Sequence, residues 1–143
     1  MLKVSQILAS KPQNAVYAVS PEQMVIEALE LMSERNIGAV MVMDHNRLVG
    51  IFSERDYARK GILQDRKAKS TPISAVMTTH VISVGTASSL GECMRLMSEK
   101  RFRHLPVVED GRVVGLISIS DVVTAIIREQ EDRIQSLEQY ITS

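Results

Sequence analysis

LVGIFSERD (residues 48–56) and VVGLISISD (residues 113–121) repeat one pattern, an apolar strand-like run into Gly, then Ser, then Asp three residues further on. The rest of the chain is organised around this recurrence. Setting residue 16 against residue 81 and moving forward without a gap aligns Val19 with Val84, Glu27 with Glu92, Val42 with Val107 and Asp56 with Asp121. The block LMSE at 31–34 returns in full at 96–99. The lead-in recurs as well: VSQIL (4–8) resembles ISAVM (73–77), with about four extra residues in the first copy at 11–14. An internal repeat fixes the architecture before any element is assigned, and here it predicts two copies of one small unit.

Within each copy the periodicities separate the elements. Val16 and Val19 lie in a short β-branched stretch, and Ser20 before Pro21, with Gln23 three residues on, predicts a helix start. Val25, Ala28, Leu29 and Met32 recur as Leu90, Cys93, Met94 and Met97 at the i, i+3, i+4, i+7 spacing of a buried stripe. Methionines at such positions read as core filler before they read as a binding surface. Apolar runs at 39–43 and 105–108, polar turns at 44–46 and 109–111, and apolar runs at 48–52 and 113–117 predict a hairpin of well-buried strands in each copy. A helix follows Ser53 and Ser118. The unit is βαββα, and one helical stripe leaves part of a three-stranded sheet uncovered, so pairing the copies is expected to bury the remainder. The stretch at 59–72 mixes cations with Gly, Ser and Pro and reads as an exposed connection.

Composition narrows the function classes. A chain of 143 residues, 45% hydrophobic and 24% charged, fits one soluble globular unit. Its apolar runs are too short to cross a bilayer, and its first residues lack the pattern of a secretory signal, so a cytoplasmic protein with no membrane partner is expected. Cys93 is the only cysteine, which excludes a disulfide framework and a cysteine-based zinc site. With three scattered histidines, no metal centre is expected. Formal charge balances at zero, aromatic content is 3% and tryptophan is absent, which argues against a nucleic-acid partner.

The paired G-x-x-S-x-x-D endings, the RHLPVV segment (103–108), the gapless tandem spacing and the VMTT lead-in (76–79) together resemble the cystathionine-β-synthase (CBS) domains, in the paired form called a Bateman module. The resemblance covers residues 1 to 128. It implies an α/β (α+β) fold: two βαββα CBS repeats packed with pseudo-two-fold symmetry, plus an extended C-terminal helix. The corresponding division is repeat 1 with its lead-in helix at 1–66, repeat 2 at 67–128 and a helical extension at 129–143. It also implies a non-catalytic adenosine-nucleotide sensor. AMP is the favoured ligand, NAD(H) or ATP the next, and the signal is expected to pass to a separate, unidentified effector protein.

Residue chemistry supports that role. Ser118, Ser120 and Asp121 sit where a strand becomes a helix, where free N–H groups suit a phosphate. A carboxylate repels phosphate, so Asp121 is expected to accept the ribose hydroxyls while the serines donate nearer the phosphate. Arg103 and His104 supply the cationic end, and Pro106 with nearby aliphatic groups can flank adenine. By the family's geometry the Asp121 site is expected to borrow backbone from Val16, Tyr17 and Ala18. The first site (Ser53, Arg55, Asp56) would borrow it from Thr79, His80 and Val81. That first site is the poorer, since Gly38, Ala39 and Met41 stand where the second copy has Arg103, His104 and Pro106.

Three competing readings remain open at this level. Ser-x-x-Asp before an apolar run is also a helix N-cap, His45 and His80 read as solvated, and Gly50 and Gly115 can serve close packing alone. A hydrolase would use His104 as base and a nearby serine as nucleophile, but no carboxylate is placed to orient it. The third is a structural, partner-binding homodimer with no physiological nucleotide. Beyond Asp121, Val123, Ile127, Gln130, Ile134, Leu137 and Ile141 follow alternating four- and three-residue steps. They predict either a short coiled-coil seam or a helix laid back over its own sheet. A homodimer formed through the CBS discs and this helix is expected.

Overall fold

The computed structural model describes residues 2–11 and 15–142; the extra residues at 12–14 lie outside them. In chain order the elements are α1 (Val4–Ser10), β1 (Ala18–Val19), α2 (Val25–Arg35), β2 (Ala39–Asp44), β3 (Arg47–Ser53), α3 (Glu54–Asp56), α4 (Leu90–Lys100), β4 (His104–Glu109), β5 (Arg112–Ser118) and α5 (Ile119–Thr142). The mixed α/β class expected from the repeat is the class observed.

The chain forms two compact units, one of residues 16–82 and one of residues 1–15 together with 83–143. Each repeat's lead-in therefore packs with the other repeat, a grouping that differs from the chain-order division at residues 66 and 128. The backbone bonds responsible come in matched sets. In the first unit Ile73 N donates to Gln23 O (2.8 Å), Ser74 N to Pro21 O (3.0 Å) and Val25 N to Thr71 O (2.8 Å). In the second, Val4 N donates to Ser88 O (2.8 Å), Ser5 N to Thr86 O (3.0 Å) and Leu90 N to Leu2 O (2.9 Å). The first N–H groups of a helix have no partner inside it. Here the opening turns of α1, α2 and α4 and of the 3₁₀ turn Ile73–Ala75 find theirs across the lead-in contact.

In the 16–82 unit β1 runs parallel to β2, and β2 pairs antiparallel with β3. Val25, Ala28 and Met32 of α2 meet Val40, Val42, Phe52, Ile73 and Val76 in its core. In the other unit β4 pairs with β5, and a single parallel bridge from Val84 to Val107 stands where β1 meets β2 in the first. Both hairpins carry the same register irregularity, between Val42 and Met43 and between Val107 and Val108. Asp110 and Gly111 both have positive φ, as a two-residue type I′ turn needs.

Four expectations are corrected. Ser20–Pro21 opens a turn, closed by Ser20 N donating to Gln23 Oε1 (2.8 Å), and α2 starts only at Val25. Proline and a polar residue signal a change of direction as readily as a helix. The connection at 59–72 is not simply exposed, because Thr71 is buried and the carbonyls of Ala68 and Thr71 cap α2 through Ile26 N and Val25 N. The helix after Ser53 is one α-turn followed by a π-helical stretch (Tyr57–Gly61) and a 3₁₀ turn (Ile62–Gln64), unlike the continuous α5. Finally, α5 does not lie back over its own sheet, since residues 131–142 are exposed. In the repeated stripe Cys93 and Met97 are buried but Met94 is 42% exposed, which makes the i+4 position a rim.

Gly50 tests the close packing at the end of the lead-in at 73–77. A β-carbon there would stand 2.9 Å from the Thr78 carbonyl oxygen and 2.9 Å from Met77 Sδ. The thioether can move and the backbone cannot, so Gly50→Ala is expected to cost about 1–3 kcal/mol of unfolding free energy in urea. Gly91→Ala, in α4 with nothing nearer than Ser89 Oγ at 3.7 Å, is expected to be neutral or stabilising by up to about 1 kcal/mol.

Candidate functional site

The β4–β5 register sets His104 opposite Ser118, and Ile119 N donates to Arg103 O at 2.9 Å. Arg103, His104, Ser118, Ser120 and Asp121 are thereby brought together within one unit. Ser118 N donates to Asp121 Oδ2 (2.8 Å) and Asp121 N to Ser118 Oγ (3.2 Å), a reciprocal capping box at the start of α5. Lys11, just past α1, places Nζ 3.0 Å from Asp121 Oδ2 and 2.7 Å from the Leu116 carbonyl. Among the described residues Asp121 Oδ1 accepts no hydrogen bond. Arg103 and Ser120 are exposed, His104 is half-buried, and Pro106 is fully buried with its carbonyl accepting from Val84 N at 2.9 Å.

The first copy builds the same corner with different donors. Ser53 N and Oγ donate to Asp56 Oδ2 (2.9 and 3.0 Å), and Asp56 N returns a bond to Ser53 Oγ (3.2 Å). Thr78 Oγ1 donates to Asp56 Oδ1 at 2.9 Å, while the Thr78 backbone exchanges both of its bonds with Ile51. Lys11 and Thr78 thus do matching work: each follows a lead-in and reaches a carbonyl on the second hairpin strand and the capping aspartate. Thr78 does so through rigid backbone plus a hydroxyl, Lys11 through one long side chain.

The remaining expected residues belong to the 16–82 unit. Arg55, Thr79 and His80 are exposed, and Val81 is half-buried with its N–H on Thr79 O (3.0 Å). The Tyr17 ring lies under the Arg35 guanidinium at 5.3 Å and its carbonyl accepts from Met41 N; Ala18 pairs with Met41, and Val16 is exposed. Sequence reasoning missed Lys11 and Thr78. The recurrence of VSQIL as ISAVM held the signal, because the polar residue soon after each copy is the one that reaches the aspartate.

Each unit carries a cavity. A groove of about 550 Å³ between α1 and α5 is lined by Lys11, Asp121, Gln6, Ser10, Thr124 and Arg128, among others. A cavity of about 360 Å³ in the 16–82 unit lies against Leu29, Met32, Asn36, Gly38 and Glu54. Among the described residues no cluster of His, Cys, Asp and Glu could hold a metal ion, and no helix is long and apolar enough to cross a membrane. Burial raises the Cys93 thiol above its ordinary range, consistent with a packing role.

With this geometry in hand, the CBS-domain family model matches the chain twice, over residues 4–61 and 73–128. The chain belongs to the CBS-domain family. The CBS domain-containing protein CBSX3, mitochondrial, of Arabidopsis thaliana is 35% identical over 96% of this chain and 71% of its own length. The protein YhcV of Bacillus subtilis is 36% identical over 75% of this chain and 76% of its own. Among solved structures, a protein with CBS domains from Burkholderia ambifaria superposes with a TM-score of 0.86 at 45% identity, covering 90% of this chain and 96% of that one. CBS-domain proteins are in general regulatory or signalling modules for adenosine ligands, and in general non-catalytic.

Two outcomes follow for the ligand-free protein. Asp121→Ala and Asp56→Ala are each expected to lower the unfolding free energy by about 0.5–2 kcal/mol, the cost of a lost cap, measured by urea denaturation. Acid sensitivity should also appear at Glu109, whose carboxylate accepts from Thr86 N (2.7 Å) and Thr86 Oγ1 (2.6 Å) and is held below the usual carboxylate range by those bonds. Just below that range the unfolded chain binds the proton and the folded chain does not. The stabilisation is therefore complete above the unfolded value and is lost as pH falls through the folded one. Thr86→Val removes the hydroxyl donor, and its urea midpoint should fall less steeply on acidification than that of the parent.

Proposed function

We propose that the protein is a non-catalytic cytoplasmic sensor that binds an adenosine nucleotide beside Asp121, AMP first with NAD(H) or ATP next, and acts on a separate protein partner. One observation carries the reading. Among the described residues the Asp121 carboxylate is tied through a single oxygen and lines a groove of nucleotide size, whereas Asp56 has both oxygens engaged. In this reading Oδ1 accepts ribose hydroxyls, and Ser118 and Ser120 donate nearer the phosphate. The cations lining this groove are Lys11 and Arg128. The Burkholderia relative carries a proposed signal-transduction role, which fits a module of this kind.

A second reading has its own support. Both aspartates complete capping boxes, and a cap needs no ligand. In that case the chain is a scaffold whose corners are purely structural.

Calorimetric titration of AMP, ATP and NADH into the purified protein separates these readings. The sensor is expected to bind at least one of them saturably without turnover. Asp121→Ala is expected to weaken that binding roughly ten- to a hundredfold, corresponding to about 1.5–3 kcal/mol for hydrogen bonds to a charged group, with Asp56→Ala weakening it less. Heat-silent titrations by a folded protein would establish the scaffold instead, and product formation an enzyme.

A further inference from the structure

The face of α5 that its own unit leaves uncovered runs the full length of the helix. Ile119, Val123, Ile127, Ile134, Leu137 and Ile141 are all exposed, rising from 45% at Ile119 to 80% at Ile141. Isolated exposed apolar residues are ordinary, but a continuous stripe marks a contact surface. From this pattern we infer that α5 pairs with α5 of a second copy of the chain, parallel and in register, as a two-stranded coiled coil.

The choice of partner and direction rests on the residues. With Ile127 at heptad position a, the a positions of α5 are Ser120, Ile127, Ile134 and Ile141 and the d positions are Val123, Gln130 and Leu137. Ile at the three a positions from Ile127 onward, with Leu137 at d between the last two, favours two parallel strands. The flanks agree. Arg133 falls at g and Glu138 at the e position that a parallel partner sets opposite it, giving an ion pair on each side of the seam. Arg133 now makes only an exposed 3.4 Å contact with Glu129 of its own helix, which is easily exchanged. An antiparallel partner would face Glu131 with Glu138 and gain no such pair. A membrane surface is disfavoured too, because acids outnumber arginines on the polar face from 128 to 138.

Sedimentation equilibrium of the full chain tests this. The parent should be dimeric at tens of micromolar, and Ile134→Glu with Leu137→Glu should leave it monomeric. Arg133→Glu or Glu138→Arg alone should raise the dissociation constant about tenfold through two like-charge contacts, and the two changes together should restore it. A monomer at all concentrations overturns the inference. So does a dimer indifferent to Ile134 and Leu137, which would be built elsewhere, or a dimer that Glu138→Arg tightens, which would be antiparallel.

Discussion

The architecture depends on unpaired N–H groups finding carbonyls across the sequence. The start of α2 is satisfied by residues 68–71 and the start of α4 by Leu2, while the lead-ins, in turn, donate to the loops that precede those helices. A buried helix terminus without such partners is costly, so neither repeat closes with only its contiguous stretch of chain. The lead-in of each copy is a structural part of the other, and this also fixes where Lys11 and Thr78 fall.

The consequence for the candidate site is an asymmetry that the repeat alone would not suggest. Thr78 joins the first hairpin as backbone, so the donor on Asp56 is rigid and a second acceptor oxygen is consumed. Lys11 imitates the same contact with a flexible ammonium on Oδ2, leaving Oδ1 of Asp121 without a partner among the described residues and the groove between α1 and α5 beside it. One fold position thus carries two chemistries, a closed cap in the first copy and a cap that borders space in the second. The distal half of α5 is a separate matter: residues 131–142 extend past the packed unit and are exposed.

Much of this was legible from residues because the repeat constrains each element twice. The hairpins follow from apolar runs around polar turns, the buried stripe from a three- to four-residue spacing, and both Ser-x-x-Asp corners from their recurrence. The start of α2 falls five residues after Ser20 because Gln23 Oε1 bonds back to Ser20 N and closes a turn there. The π-helical turn at Tyr57–Gly61 leaves no periodic signature in so short a segment. The exchange of lead-ins, which decides what touches Asp56 and Asp121, is a matter of which copy a segment pads, and periodicity is silent on that.

The exchange is open to a direct check through the antiparallel bridge between Lys3 and Ser89. Paired residues in such a bridge stand about 4.5–5.5 Å apart at Cα, within the span of a disulfide. In a chain carrying Cys93→Ala, Lys3→Cys and Ser89→Cys, mild oxidation should give a cross-linked product of single-chain mass on a denaturing gel, with a higher urea midpoint than its reduced form. Failure to cross-link, or cross-links only between chains, would show that the N-terminal helix does not close the second repeat.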